Sequence, residues 1–217
     1  ILLLSLPLWK KQELPLSGGE TVRPQTPQWG KLLKRPGVKA ALTAFFFYSA
    51  LELTTGLWGS SYMVAVRGIS AETAAKWISL FYLGITAGRF FSGFLTLRFS
   101  DDAMVRLGEG TAIVGILLIL LPLHNLFLCL GLILTGLGCA PIYPSLLHAT
   151  PQRFGKSLSQ SLMGTQMAIS YLGSTTMPPV SGFLSEKISM GLYPVLLLVF
   201  ALMLTILTEK GRHCTAE

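Results

Sequence analysis

The sequence predicts an all-α, polytopic membrane protein: six transmembrane helices, preceded by a short remnant of another. Three observations predict it. Of 217 residues, 51% are hydrophobic and only 12% charged, about half the charge of an ordinary soluble domain, near 25%. The apolar residues form runs of the roughly 20 residues that a helix needs to cross a hydrocarbon core of about 30 Å. The lysines and arginines gather between those runs, on alternate sides. The short alternating segments of a membrane barrel are absent from the sequence.

Residues 1–8 read as the end of a preceding transmembrane helix, because ILLLSLPL runs straight into Trp9-Lys10-Lys11 with no charged leader ahead of it. On this reading the chain is a fragment. Residues 9–37 are polar, carry Pro15, Pro24, Pro27, Pro36 and the pair Gly18-Gly19, and read as a basic linker. A six-helix transmembrane domain is expected over 38–208, with runs at about 38–66, 73–98, 104–123, 125–149, 157–179 and 190–208. Residues 209–217 read as a tail. Thirteen lysines and arginines fall on the side of the linker and tail, three (Arg67, Lys76 and Lys187) on the other, and Arg89 lies within a run. The positive-inside rule then makes linker and C-terminus cytoplasmic. The net charge of +7 has no basic stripe interleaved with aromatics, so no nucleic-acid partner is expected. Cys129, Cys139 and Cys214 form no CxxC pair, and neither a disulfide framework nor a metal site is implied.

Within the membrane, the first run carries the most informative residue. Glu52 lies near its middle, where a carboxylate costs roughly 2.5–3.5 kcal/mol on insertion scales. Tyr48, Glu52, Thr55, Gly59 and Tyr62 follow a 4-3-4-3 spacing and share one helical face. That polar stripe marks a cavity-lining helix, with Glu52 as a substrate ligand or proton carrier. The alternative is a neutral carboxyl that only hydrogen-bonds a neighbouring helix. In the second run Gly84, Gly88 and Ser92 form a small-xxx-small ladder for close packing. Arg89 reads as half of a structural or gating ion pair with a carboxylate on a neighbouring element, and Asp101 and Asp102 follow in the next loop. The third run is plain, with Glu109 three residues after Arg106 and so placed for a same-helix ion pair. The fourth carries Gly136, Gly138, Pro141 and Pro144, which read as interruptions of the helix of the kind found at binding sites and moving parts. His148 reads as a solvated interfacial residue. The fifth run is the most polar: Gln166, Ser170 and Ser174 line one face, suited equally to a polar solute and to interhelical hydrogen bonds.

The stretches FFFYSALELTTGLWGSSYMV (45–64), FYLGITAGRFFSGFLTLRF (81–99), GLGCAPIYPSLL (136–147) and SLMGTQMAISYLGSTTMPPVSG (161–182) occur in this order along almost the whole chain. Together they resemble the C-terminal half of a major facilitator superfamily transporter, nearest the fucose/glucose/galactose permease-like group of sugar:proton symporters. The resemblance implies a six-helix half of the superfamily's bundle, in which the first, second, fourth and fifth runs line or gate the cavity and the third and sixth face lipid. It implies a small-molecule solute, an N-terminal half of the same transporter as partner, and a proton gradient as driving force with no cofactor. In that group the main proton-carrying acid lies in the N-terminal half, which makes Glu52 an auxiliary acid or a substrate ligand. The superfamily's loop signature is echoed only in part, by Gly93, Arg98 and Asp101.

The function expected is therefore proton-coupled alternating access for a small polar solute, a sugar, across the plasma membrane. Substrate or proton contacts are expected from Glu52, Tyr48, Thr55, Tyr62, Gln166, Ser170 and Ser174, and gating or structural roles from Arg89, Asp101, Gly88, Pro141 and Pro144. An exporter of amphipathic compounds is the alternative, given aromatics at 45–48, 58 and 62. A membrane scaffold or sensor without transport is the reading from another class. No HExxH, no GxSxG and no close pair of intramembrane carboxylates occurs, so an enzyme is not expected.

Overall fold

Six helices follow one another in the computed structural model, which describes residues 33–122 and 124–216. They are α1 (Val38–Arg67), α2 (Ala71–Leu95), α3 (Asp101–Leu120), α4 (Asn125–Phe154), α5 (Lys156–Lys187) and α6 (Tyr193–Ala216), with a single 3₁₀ turn, Met190–Leu192, before the last. Residues 1–8 and most of the expected linker lie outside the described residues. Five of the helical segments are long and apolar enough to cross a membrane. The exception, α5, is 32 residues long, and its run of serines, threonines and glutamine dilutes its apolarity.

Local chemistry sets the helix ends. Ser70 caps α2 and Ser100 caps α3, each side chain accepting a backbone N–H at 3.3 Å. Asp101 and Asp102 fall in the first turn of α3, where the helix dipole favours negative charge. Gly68 ends α1 at φ 65°, and Gly155 turns the chain from α4 into α5 at φ 86°, a backbone region that L side chains rarely adopt. The segment 209–216, expected as a tail, continues α6. Its helix is held by side chains: Glu209 pairs with Arg212 one turn on and with Arg106 of α3.

Because each connection is short, successive helices run antiparallel. The N-termini of α1, α3 and α5 and the C-termini of α2, α4 and α6 share one end, called here the linker end. The contacts have an internal symmetry. α4 packs on α3 and α2, as α1 packs on α6 and α5; α1–α2 contacts match α4–α5; and α3–α6 and α1–α4 map onto themselves. Exchanging α1–α3 for α4–α6 thus maps each of these contacts onto another of them, the slight α5–α6 contact aside, while α1 and α4 run in opposite directions. This is the arrangement of an inverted repeat.

Close approach of α2 and α4 depends on residues without side chains. A Cβ on Gly136 would lie 2.1 Å from the Phe81 carbonyl, and one on Gly84 2.4 Å from the Ile133 carbonyl. The expected break in α4 is not there: α4 is one helix through Pro141, Pro144 and Pro151. Pro141 removes the N–H that would bond the Leu137 carbonyl, and that carbonyl lies against Gly88, whose added Cβ would be 3.0 Å away. Packing against α2 holds the helix together where its own ladder is missing a rung. The core is aromatic and aliphatic, with Phe45, Leu51, Phe81, Ile116, Leu132 and Tyr193 all buried.

Candidate functional site

The site begins with the ion pair that the sequence left without partners. Arg89 of α2 places Nη2 3.7 Å from Oε1 of Glu52, midway along α1. Neither residue is sealed away: the Arg89 side chain is 61% exposed and that of Glu52 26%. At 3.7 Å the charges attract, but the pair is longer than a hydrogen bond. The guanidinium donors and carboxylate lone pairs therefore retain capacity for a third party.

Arg89 lines a cleft of about 1030 Å³ between α2, α4 and the start of α3, at the upper end of the range for small-molecule sites. The other lining residues include Ser92, Thr96, Ser100, Asp101, Tyr143, Pro144, His148 and Gln152. Most of these carry hydroxyl, amide or ionisable groups. Tyr143 forms an aromatic wall, its ring edge-on to Phe45 at 5.2 Å and tilted to Tyr48 at 5.7 Å. Nearer the linker end Asp101 and His148 join through Oδ2 and Nδ1 at 2.8 Å. Asp102 pairs with Arg153, which ties α3 to α4 behind the cleft.

The expected site residues divide in two. Glu52, Arg89, Asp101 and Pro144 come together at or beside the cleft, with Tyr48 behind Tyr143. The others go elsewhere. Thr55 is fully buried, its hydroxyl donates to the Leu51 carbonyl, and its carbonyl accepts from Tyr193 of α6. Tyr62 donates to the Ile119 carbonyl and stacks on Tyr193, ten residues or about 15 Å along α1 from Glu52. Gln166 accepts from Thr150 at 3.1 Å, and Ser170 hydrogen-bonds Ser49; both fasten α5 to its neighbours. Ser174 donates to its own helix at Tyr171. Gly88 and Pro141 lie in the packed seams of α2–α4 and α3–α4.

Two expectations are corrected. Glu109 does not pair with Arg106. It is buried, 3% exposed, and accepts from Thr208 of α6 at 2.8 Å. Arg106 instead forms a bidentate pair with Glu209 at 2.8 and 3.1 Å, because α6 brings a carboxylate into its reach that sequence spacing does not reveal. His148 is not merely a solvated interfacial residue: it is exposed, but into the cleft, and it is held by Asp101. Tyr143 and Gln152 were missed as lining residues. Gln152 lies one turn beyond His148 (i, i+4) and could have been found from it; Tyr143, five residues before His148, shares no helical face with it, and spacing gave no signal for it.

A bundle of antiparallel apolar helices with inverted-repeat packing, a cleft with polar side chains and an ionisable pair anchored midway along α1 is the arrangement met in secondary-transporter folds. The chain belongs to the Major Facilitator Superfamily, whose family model matches residues 40–210, and it is accordingly an integral membrane protein of a transport family. A relative in Saccharomyces cerevisiae, Bypass of stop codon protein 6, is 23% identical over 197 residues, covering 83% of this chain and 38% of that protein. Among solved structures, the fucose:proton symporter FucP of E. coli superposes with a TM-score of 0.71 at 19% identity, over 85% of this chain and 44% of that one. The POT family transporter PepTSo superposes at 0.72 and 17% identity, over 82% of this chain and 38% of that one. The chain thus spans less than half the length of these relatives, and at such identities the structural likeness establishes the fold alone.

Proposed function

We propose that the chain is the C-terminal half of a secondary transporter that moves a small polar solute, of the sugar class, by proton-coupled alternating access across the plasma membrane, with its linker end in the cytoplasm. The observation that carries the reading is the Glu52–Arg89 pair beside a polar cleft, held at a separation that leaves hydrogen-bonding capacity on both partners. A polyhydroxylated solute supplies donors for the carboxylate and acceptors for the guanidinium, and a sugar face stacks well on a ring such as Tyr143. Protonation of Glu52 would release Arg89 and change the charge of the cleft wall, which is the kind of differential contact that couples a proton to a change of state. The fold likeness to a fucose:proton symporter agrees with this direction. An N-terminal half would supply the facing wall. The driving force is the proton gradient, with no cofactor.

The test uses the full-length parent in proteoliposomes with an imposed pH gradient and a panel of monosaccharides. Gradient-driven uptake that is lost in Glu52→Gln supports the proposal. Uptake unchanged in Glu52→Gln makes the carboxyl structural. Absence of any sugar uptake, with gradient-driven efflux of an amphipathic dye, favours the exporter, for which Tyr143, backed by the buried Phe45 and Tyr48, would be the binding wall.

A further inference from the structure

The linker end holds a second concavity, whose lining shares no residue with the cleft. It is a groove of about 560 Å³ where the chain entering α1 meets the last turns of α6. Lys34, Arg35 and Lys39 line it from one side and Lys210 from the other, above Leu33 and Leu207.

Three features converge there. The first is uncompensated charge. Among the described residues no acidic one lines the groove, and none of the four cations pairs with a carboxylate. Glu209, the neighbour of Lys210 in sequence, is turned to Arg106 and Arg212 instead. The second is the backbone. α1 begins at Gly37 with no side-chain cap and no acid in its first turn, so the positive end of its dipole and its unpaired N–H groups add to the field of the cations. The third is a path for hydrocarbon. Val199, Met203 and Ile206 are exposed on α6, and their spacing to Lys210 puts all four on one helical face. An exposed apolar stripe thus runs along the membrane-spanning part of α6 and ends at a cation beside the groove.

We propose that this groove binds the phosphate headgroup of an anionic phospholipid, with an acyl chain lying along the α6 stripe. The positive-inside bias accounts for cations at this end; it does not account for four of them converging, with no acidic partner among the described residues, on one concavity at an uncapped helix start. The shared chemistry is a phosphate monoanion, and the apolar stripe assigns it to a lipid rather than to free phosphate. Nothing in the assignment depends on the transported solute.

The test is native mass spectrometry of the purified full-length parent in detergent, with dioleoyl phosphatidylserine or dioleoyl phosphatidylcholine added, and separately with millimolar inorganic phosphate as competitor. Each cation near a negative headgroup is worth about fivefold, so phosphatidylserine should be retained over phosphatidylcholine by at least about tenfold. The preference should fall to near parity in the Lys34→Gln/Arg35→Gln/Lys39→Gln/Lys210→Gln variant, and should persist in Lys76→Gln/Lys187→Gln at the opposite end. Thr43→Trp fills the groove from an exposed position without removing a charge, and should abolish the preference too. Equal retention of the two lipids by the native chain overturns the proposal, as does a preference that survives the fourfold variant. A preference lost in the fourfold variant but kept in Thr43→Trp means diffuse surface attraction, and no groove site. Displacement of the lipid by inorganic phosphate overturns the lipid assignment in favour of a free-phosphate site.

Discussion

At the scale of single residues, the Glu52–Arg89 pair separates structural from functional value. An ion pair with a largely exposed partner contributes about 0–1 kcal/mol to stability, and Arg89 is 61% exposed. Glu52→Gln and Arg89→Gln should therefore shift thermal unfolding in detergent by less than about 1 kcal/mol. Uptake by the full-length protein should fall at least about tenfold in each, the equivalent of 1.4 kcal/mol. Proportionate losses of stability and uptake would reduce the pair to a structural tie. The stripe on α5 makes the opposite expectation. Ser170 and Gln166 spend their polar groups on Ser49 and Thr150, and such interhelical bonds average about 0.6 kcal/mol. Ser170→Ala should cost about that much and leave uptake intact; lost uptake in a fully stable Ser170→Ala protein would restore this serine to the solute site. Glu52 was legible in the sequence because a lone carboxylate in an apolar run needs a reason. Its partner was not, because Arg89 reaches it across the packing of α2 on α1, and a spacing rule sees only one helix at a time.

At the scale of elements, glycines decide how near α2 and α4 can come. The Gly136 contact is with backbone, the Phe81 carbonyl and the Ile85 nitrogen at 2.1 and 3.0 Å from an added Cβ, and backbone cannot swing aside as a side chain does. Gly136→Ala should cost at least the roughly 1–3 kcal/mol of overpacking, read as a lower unfolding temperature. Gly110→Ala is the matched control: it lies in α3 with no atom within 4 Å of its added Cβ. There alanine should be neutral or stabilise by up to about 1 kcal/mol; equal losses at both positions would mean that glycine acts in these helices through something other than close approach. The small-residue ladder of α2 was readable from its spacing. The role of Gly136 and Pro141 was not. Both are helix breakers by propensity, and only the opposing face of α2 shows that one admits a neighbour and the other leaves a carbonyl that the neighbour covers. The extension of α6 to Ala216 was likewise hidden, since Glu209 and Arg212 look like solvated tail charges until α3 supplies Arg106.

At the scale of the whole molecule, charge and connectivity fix one orientation between them. Short connections force α1–α6 to alternate, so every loop is assigned to an end once one is. Among the described residues, Lys34, Arg35, Lys39, Arg98, Arg106, Arg153, Lys210 and Arg212 lie at one end, and only Arg67, Lys76 and Lys187 at the other. Even these three are partly answered where they stand. Lys76 pairs with Glu72 at 2.7 Å, Arg67 donates to the Leu121 carbonyl at 2.9 Å, and Lys187 lies 6.0 Å from the Phe183 ring centre. Cations near helix ends bias insertion towards the cytoplasmic side, so the linker end should be cytoplasmic, and the cleft, whose lining runs from Arg89 to His148 and Gln152, should widen towards the cytoplasm. Single-cysteine variants of the full-length protein lacking Cys129, Cys139 and Cys214 decide it. A membrane-impermeant maleimide applied to intact cells should label Lys187→Cys at once, and Arg35→Cys only after permeabilisation. The reverse pattern would turn the cleft outward, and with it the side from which a solute enters this state. Labelling of both positions from the same side would contradict the alternation of the six helices, and with it the inverted-repeat packing that places Glu52 beside Arg89.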